Sequence, residues 1–220
     1  MKIPVLFIFA FLSGSLVYAQ KRPNIVFILS DDHAYQAISS YGFGLNHTPN
    51  IDKLADEGIL FRNVFVNNSL CAPSRAAILT GKYSHISGIE GNRDLVFEGS
   101  QTTFPKLLHQ AGYQTAMIGK WHLGDKHDYN YPTAQGFDSY YGLLYSHDYR
   151  SPYVKTDTTI KIYRNRTPEI YKPADSNLTR LYTTEAIKYI KKQNKPFFLY
   201  LAYNMPHLPV AFAASASYLR

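Results

Sequence analysis

The stretch RPNIVFILSDDH, Arg22 to His33, sets an unbroken apolar run against two acids. Ile25 to Leu29 is rich in β-branched and aromatic side chains, the composition of a parallel strand covered on both faces. The run stops abruptly at Asp31 and Asp32. Adjacent carboxylates at the carboxyl end of a buried strand repel one another and are costly to desolvate unless a cation lies between them. Open α/β sheets bind their ligands at such strand ends. A hard divalent ion, Ca²⁺ or Mg²⁺, suits oxygen ligands, and a solvated turn accounts for the pair equally well at this point.

Moving outward, TPNIDKLADEGILFRNVFV places Thr48 as an N-cap, Pro49 in a first helical turn and Gly58 at the stop, with a short strand expected over Ile59 to Val66. CAPSRAAILTG predicts a helix that begins near Pro73 and ends at Gly81. TFPKLLHQAGYQTAMIG reads as a helix, a stop at Gly112 and a strand from Gln114 to Ile118. Leu178, Leu181, Ile187 and Ile190 lie near one face of a later helix, and Phe197 to Ala202 is a buried strand. Strands alternating with helices define an α/β layered fold with a mostly parallel sheet. The polar, tyrosine-rich span from Asp125 to Asp175 shows no period and is expected to form loops over one end of the sheet.

The first residues, MKIPVLFIFAFLSGSLVYAQ, carry a basic Lys2, an apolar stretch from Ile3 to Leu12 and a small-residue site at Val17-Tyr18-Ala19. This is the pattern of a secretory signal peptide over residues 1–19, too short in its apolar part to span a bilayer. The mature chain is expected to begin near Gln20, outside the cytoplasm and free of the membrane. Its roughly 200 residues suffice for one domain with a real core. The net charge of +7, from 23 basic and 16 acidic side chains, is scattered along the chain and marks no nucleic-acid surface. A single cysteine, Cys71, excludes an internal disulfide framework. Asn67, Asn165 and Asn177 each begin an N-x-S/T sequon.

Cys71 sits just before the helix that Pro73 begins, where unpaired N–H groups and the helix dipole favour negative charge, and Arg75 lies one turn on. That combination describes an anion site with a nucleophile in it, or a buried cysteine beside a surface arginine. GKWHLG spaces Lys120 and His122 two apart, so that on an extended strand both share a face. MPHLP puts His207 in a stiff loop just past an apolar strand. Each feature alone is ordinary. Together they bring Asp31, Asp32, Lys120, His122 and His207 to strand ends, facing a helix start that carries Cys71 and Arg75.

CAPSRAAILTG has the form C-x-P-S-R followed by L-T-G, which resembles the signature of the sulfatases. RPNIVFILSDD, TPNIDKLADEGILFRN, GYQTAMIGKWHLG, GFDSYYGLLYSHDY and PFFLYLAYNMPHLP resemble successive blocks of that family, in the same order, from Arg22 to about Val210. Within it the chain is most similar to the arylsulfatase A-like, cysteine-type enzymes. The resemblance implies an alkaline-phosphatase-like α/β/α sandwich. It also implies that Cys71 is oxidised by a formylglycine-generating enzyme to Cα-formylglycine, whose hydrate attacks the sulfur of a sulfate ester. By the same resemblance Asp31, Asp32 and the Cys71-derived group hold Ca²⁺ (or Mg²⁺). Arg75 and Lys120 stabilise negative charge, and Lys120 and Ser146 bind sulfate. His122 deprotonates the diol, and His207 binds the substrate and assists the departing alcohol.

Family members continue into a second half that supplies an Asp-Asn or Asp-His pair to the metal and a further lysine. No such block follows His207, so residues 20–220 are expected to form the N-terminal part of a catalytic domain, with little or no activity alone. Two other functions fit the same residues: a phosphodiesterase or phosphonate monoester hydrolase on the related scaffold, and a non-catalytic module that retains sulfated ligands. The expected substrate is a sulfate ester, in particular a sulfated glycan, for which the 19 tyrosines offer stacking faces.

Overall fold

The computed structural model describes residues 22–154 and 159–211. The signal-peptide reading and the closing AFAASASYLR, apart from Ala211, lie outside the described residues. In chain order the elements are β1 (Ile25–Asp31), α1 (Pro49–Glu57), α2 (Cys71–Thr80), α3 (Ser84–Ser87), α4 (Phe104–Gln110), β2 (Gln114–Gly119), β3 (Ser139–Gly142), β4 (Lys161–Arg164), β5 (Thr167–Tyr171), α5 (Asp175–Lys192) and β6 (Phe197–Pro206). The strands form one sheet in the order β1-β6-β2-β3-β4-β5. The first four are mutually parallel, and β4 and β5 add an antiparallel hairpin at the far side.

β6 organises the molecule because its six residues from Phe197 to Ala202 are all buried. Alternate side chains point to opposite faces of a strand, so one strand feeds two cores. Phe198, Tyr200 and Ala202 join a cluster with Ala72, Ala76 and Leu79 of α2. Phe197, Leu199 and Leu201 join Leu178, Tyr182 and Ala186 of α5 on the other side. Each large apolar side chain buried in this way contributes about 1.5–3 kcal/mol, which makes β6 the most costly strand to disturb. The result is three layers, helix on sheet on helix, as the alternation of elements predicts.

Four local expectations are corrected. β1 is not covered on both faces: it pairs with β6 at the end of the sheet, and Val26 and Ile28 are 45% and 55% exposed while Ile25, Phe27 and Leu29 pack inward. Residues 59–66 form no strand among the described residues, because they find no ladder partner. Residues 125–175 are more than loops, since β3 extends the parallel sheet and the β4–β5 hairpin follows it. In α5 the buried spine is Leu178, Tyr182 and Ala186, at spacings of four, which leaves Ile187 and Ile190 exposed.

Two details position the site. β2 ends on Gly119, whose φ of +110° and approach to β6 admit no side chain: a Cβ would stand 1.8 Å from the Ala202 carbonyl oxygen. The strand therefore stops there and hands Lys120 to the carboxyl end of the sheet. α2 begins at Cys71 itself, two residues earlier than its proline suggests, and ends at Gly81, whose left-handed backbone lets its N–H donate to the Ala77 carbonyl at 2.8 Å.

Candidate active site

The carboxyl ends of the parallel strands converge on the start of α2. β1 delivers Asp31 as its last residue, β2 is followed by Lys120 and His122, β3 by Ser146, and β6 by His207. Leu70, the residue before α2, makes no side-chain cap. The exposed end of the helix backbone is instead met by Asn92, whose Oδ1 accepts from the Ala72 N–H at 3.0 Å.

Three charges are buried together. Lys120 is fully buried and its Nζ forms an ion pair with Asp31 Oδ2. Arg75, 2% exposed, brings Nη2 to 3.6 Å from Asp31 Oδ1 and donates from Nη1 to the Lys120 carbonyl at 2.6 Å. Lys120 Nζ also lies 3.5 Å from Cys71 Sγ. Two cations thus face one carboxylate and one thiol. Burial works against the Asp31 charge, but Arg75 and Lys120 outweigh it and hold the carboxyl below its usual range.

The same burial has the opposite consequence for Cys71. It pushes the thiol up, and although Lys120 and Arg75 pull down, Asp31 adds to the rise and the net pKa is raised. The helix start and the nearby cations therefore do not lower the Cys71 pKa, because desolvation and Asp31 prevail. A thiol that acts as a nucleophile needs the reverse.

His122 is 2% exposed, with a left-handed φ of +58° held by its N–H donating to the Leu144 carbonyl at 2.9 Å. Burial first, then Lys120 and Arg75, push its pKa well down, so the ring is neutral. Its Nδ1 is buried without a partner. Ser146 is 1% exposed and its hydroxyl is likewise unpartnered. His207 is half-buried, and its ring lies 5.7 Å edge-on from that of His147.

Asp31, Cys71 and His207 bring one ligand atom each within 4.8 Å of one another, a candidate metal-binding group. Asp32 stays apart: it is exposed, on a left-handed backbone with φ +55°. A calcium ion takes 6–8 oxygen ligands. At this end of the sheet the described residues offer one buried carboxylate already paired with two cations, one exposed carboxylate, a thiol and His207, which also forms a second candidate group with His147 and Asp148. They supply part of a donor set for a hard ion and do not complete it.

Three residues escaped the sequence reading. Tyr149 brings its hydroxyl 3.3 Å from His122 Nε2 and donates to the Asn92 carbonyl at 2.9 Å. His147 is fully buried and receives the Asn204 amide at Nδ1 at 3.3 Å. His147 and Tyr149 follow Ser146 in the same SHDY run, which was the available signal. Asn92 carries no local signal at all. Beside the site, Tyr145, Tyr149, Tyr153 and Tyr163 line a cavity of about 790 Å³, with Arg93 and Lys126 at its wall.

The sulfatase family model matches residues 23–219 of this chain, and the chain belongs to that family. It is 43% identical over 192 residues to an N-acetylglucosamine-6-O-sulfatase of Bacteroides thetaiotaomicron, covering 85% of this chain and 31% of that protein. With the human N-acetylgalactosamine-6-sulfatase it shares 36% identity over 216 residues, covering 87% of this chain and 41% of the other. A solved structure in complex with its substrate D-glucosamine-2-N,6-O-disulfate superposes with a TM-score of 0.70 at 41% identity, over 86% of this chain and 35% of that one. The chain therefore spans between about a third and two fifths of these relatives' lengths. Its mostly parallel, three-layered sheet is consistent with the alkaline-phosphatase-like fold.

Proposed function

We propose that the chain is the N-terminal part, residues 20–220, of the catalytic domain of an exported sulfatase that hydrolyses sulfate esters of glycans. The observation that carries this reading is the pair of buried cations, Lys120 and Arg75, set around Asp31 and beside Cys71. A site built to use thiol chemistry would lower the Cys71 pKa. This one surrounds the position with positive charge suited to an anionic ester, while burial and Asp31 push the thiol pKa up. The arrangement suits a cysteine that is replaced before it acts, by conversion to formylglycine through a formylglycine-generating enzyme. Hydrated formylglycine supplies a hydroxyl that attacks sulfur and a second hydroxyl whose deprotonation expels sulfate.

The chain's own residues take the remaining roles. Lys120 and Arg75 hold the negative charge that builds on the sulfuryl oxygens, and burial makes each worth more than it would be in water. Neutral His122 accepts the proton from the second hydroxyl of the diol, the step that expels sulfate. The free Ser146 hydroxyl donates to a sulfate oxygen, and His207 hands a proton to the departing alcohol. Asp31, Asp32 and the Cys71-derived group, with further oxygen donors, would hold Ca²⁺ (or Mg²⁺), which would supply a Lewis acid. With the donors that the described residues supply, little or no turnover is expected.

The glycan part of the reading is supported by the tyrosine-lined cavity next to His122 and by the sugars named for the relatives. Aromatic faces stack on sugar rings, and a volume of several hundred Å³ suits one or two of them. Export rests on the leader at residues 1–19. Among the described residues no helix is long and apolar enough to cross a membrane.

The test is to produce the chain with a formylglycine-generating enzyme, analyse the Cys71 peptide by mass spectrometry, and assay sulfate release from 6-O-sulfated N-acetylhexosamines. Expected are loss of sulfur at Cys71 and little or no sulfate release, any of which Cys71→Ala abolishes. Phosphate release from diesters or phosphonates without sulfate release would move the activity to phosphoryl transfer. An intact thiol in a protein that retains sulfated sugar would make it a binding module.

A further inference from the structure

We propose that Tyr149 is a positioning residue that locks His122 as the Nε2–H tautomer and leaves Nδ1 as the basic nitrogen. The inference rests on the sulfatase reading for what His122 does, but the tautomer follows from hydrogen-bond geometry alone.

A phenol has one proton to give. Tyr149 lies 2.9 Å from the Asn92 carbonyl, a group that can only accept, and 3.3 Å from His122 Nε2. The shorter contact to the obligate acceptor takes the proton. The phenolic oxygen then presents only lone pairs to His122, and Nε2 must carry the hydrogen to meet it. In a neutral imidazole the other nitrogen is then unprotonated. His122 Nδ1 is that nitrogen, and it is buried with no partner. An unmet buried acceptor is rare and needs an explanation, which receipt of a donor during function supplies here.

The rest of the surroundings hold this arrangement still. The Tyr149 ring lies edge-on to His122 at 5.3 Å and stacks on Tyr145 at 5.3 Å, and Tyr145 is anchored by donating to Asp125 Oδ1 at 2.6 Å. Asn92 serves both halves of the site. Its side chain accepts from the Ala72 N–H next to Cys71, and its backbone carbonyl accepts from Tyr149. The cysteine position and the histidine are thereby held by one residue, which sets the distance between them.

The experiment is a long-range proton–nitrogen-15 correlation spectrum of the chain labelled at histidine, with His122 assigned by its absence from His122→Gln. At mildly alkaline pH the wild type is expected to show a pyrrole-type Nε2 and a pyridine-type Nδ1. The reverse pattern in the wild type would overturn the proposal before Tyr149 is altered. Tyr149→Phe is expected to move both nitrogens toward an average of the two tautomers; an unchanged spectrum would also overturn it. In the chain carrying formylglycine, Tyr149→Phe should lower kcat about tenfold with KM changed less than about twofold, the signature of lost base function. If the wild type shows the expected tautomer but phosphate release without sulfate release, the sulfatase chemistry fails and the tautomer assignment stands.

Discussion

Arg75 Nη1 donates to the backbone carbonyl of Lys120 at 2.6 Å, so the first turn of α2 is tied to the residue that follows β2. The same guanidinium reaches Asp31 through Nη2 at 3.6 Å. One planar fork therefore joins three elements, α2, β2 and β1, at their meeting point. Arg75→Ala is expected to lower the unfolding free energy by about 2–3 kcal/mol, since it strands a buried carbonyl and removes half of the charge facing Asp31. Arg75→Lys should recover less than about half, because a point charge cannot make both contacts. Urea midpoints at constant m-value measure both, and full recovery by lysine would contradict the fork.

The two adjacent acids are structurally unlike. Asp31 is buried between Arg75 and Lys120, whereas Asp32 is exposed. Asp31→Asn leaves two buried cations without their counter-charge and is expected to cost about 3–5 kcal/mol. Asp32→Asn should change metal-free stability by less than about 0.5 kcal/mol. Thermal melts in chelator decide the matter, and equal losses would refute the asymmetry.

Acid should weaken the fold through His122. Above pH about 6.5 its ring is neutral whether the chain is folded or not. Below that, the unfolded chain binds a proton that the folded chain refuses, because burial, Lys120 and Arg75 hold the folded pKa well down. Stability therefore falls as pH drops below about 6.5, by up to about 1.4 kcal/mol per pH unit, until the folded ring titrates. His147, also lowered by burial, adds a change of the same sign. Melting temperatures between mildly alkaline and mildly acidic buffers should show a slope that His122→Gln flattens but does not abolish.

Most of this architecture was legible in the residues, for identifiable reasons. β6 and β2 read as strands because their apolar runs are buried on both faces in the structure too. The end of α2 read correctly because Gly81 takes the left-handed conformation that stops a helix. β1 has the same apolar composition as β6 yet lies at the end of the sheet, and composition does not report a strand's neighbours. Ile59 to Val66 has strand-like side chains without a ladder partner, which no local pattern reveals. The site followed the same division. Residues carried by blocks of sequence, such as Lys120 and His122, were found, while Asn92 acts through its backbone carbonyl and an amide and leaves no trace in the sequence. The protonated state of Cys71 was also hidden, because it depends on burial and on Asp31, 40 positions earlier in the numbering.

That unmatched apolar surface has a consequence in solution. Ile59, Phe61, Val64, Phe65 and Val66 are between 64% and 91% exposed, and α1 beside them buries no residue. Several large apolar side chains exposed along one short segment favour self-association of the chain. Light scattering should show concentration-dependent assemblies, and Val64→Ser with Phe65→Ser should reduce them while leaving the circular dichroism spectrum unchanged. A monodisperse wild-type chain at tens of micromolar would count against the segment being free.

Cys71 offers the most direct check on the chemistry of the site. Alkylation proceeds through the thiolate, and burial together with Asp31 keeps this thiol protonated at neutral pH despite Lys120 and Arg75 nearby. The unconverted native chain should therefore react with iodoacetamide about tenfold or more slowly than the same chain in denaturant. Asp31→Asn removes the one influence that is both negative and adjacent, so it should speed the native reaction; Lys120→Met should slow it further. Intact-mass kinetics follow all three. A native thiol that alkylates faster than the denatured one would mean that the cations prevail over desolvation, and Cys71 would then have to be regarded as a thiolate nucleophile in its own right.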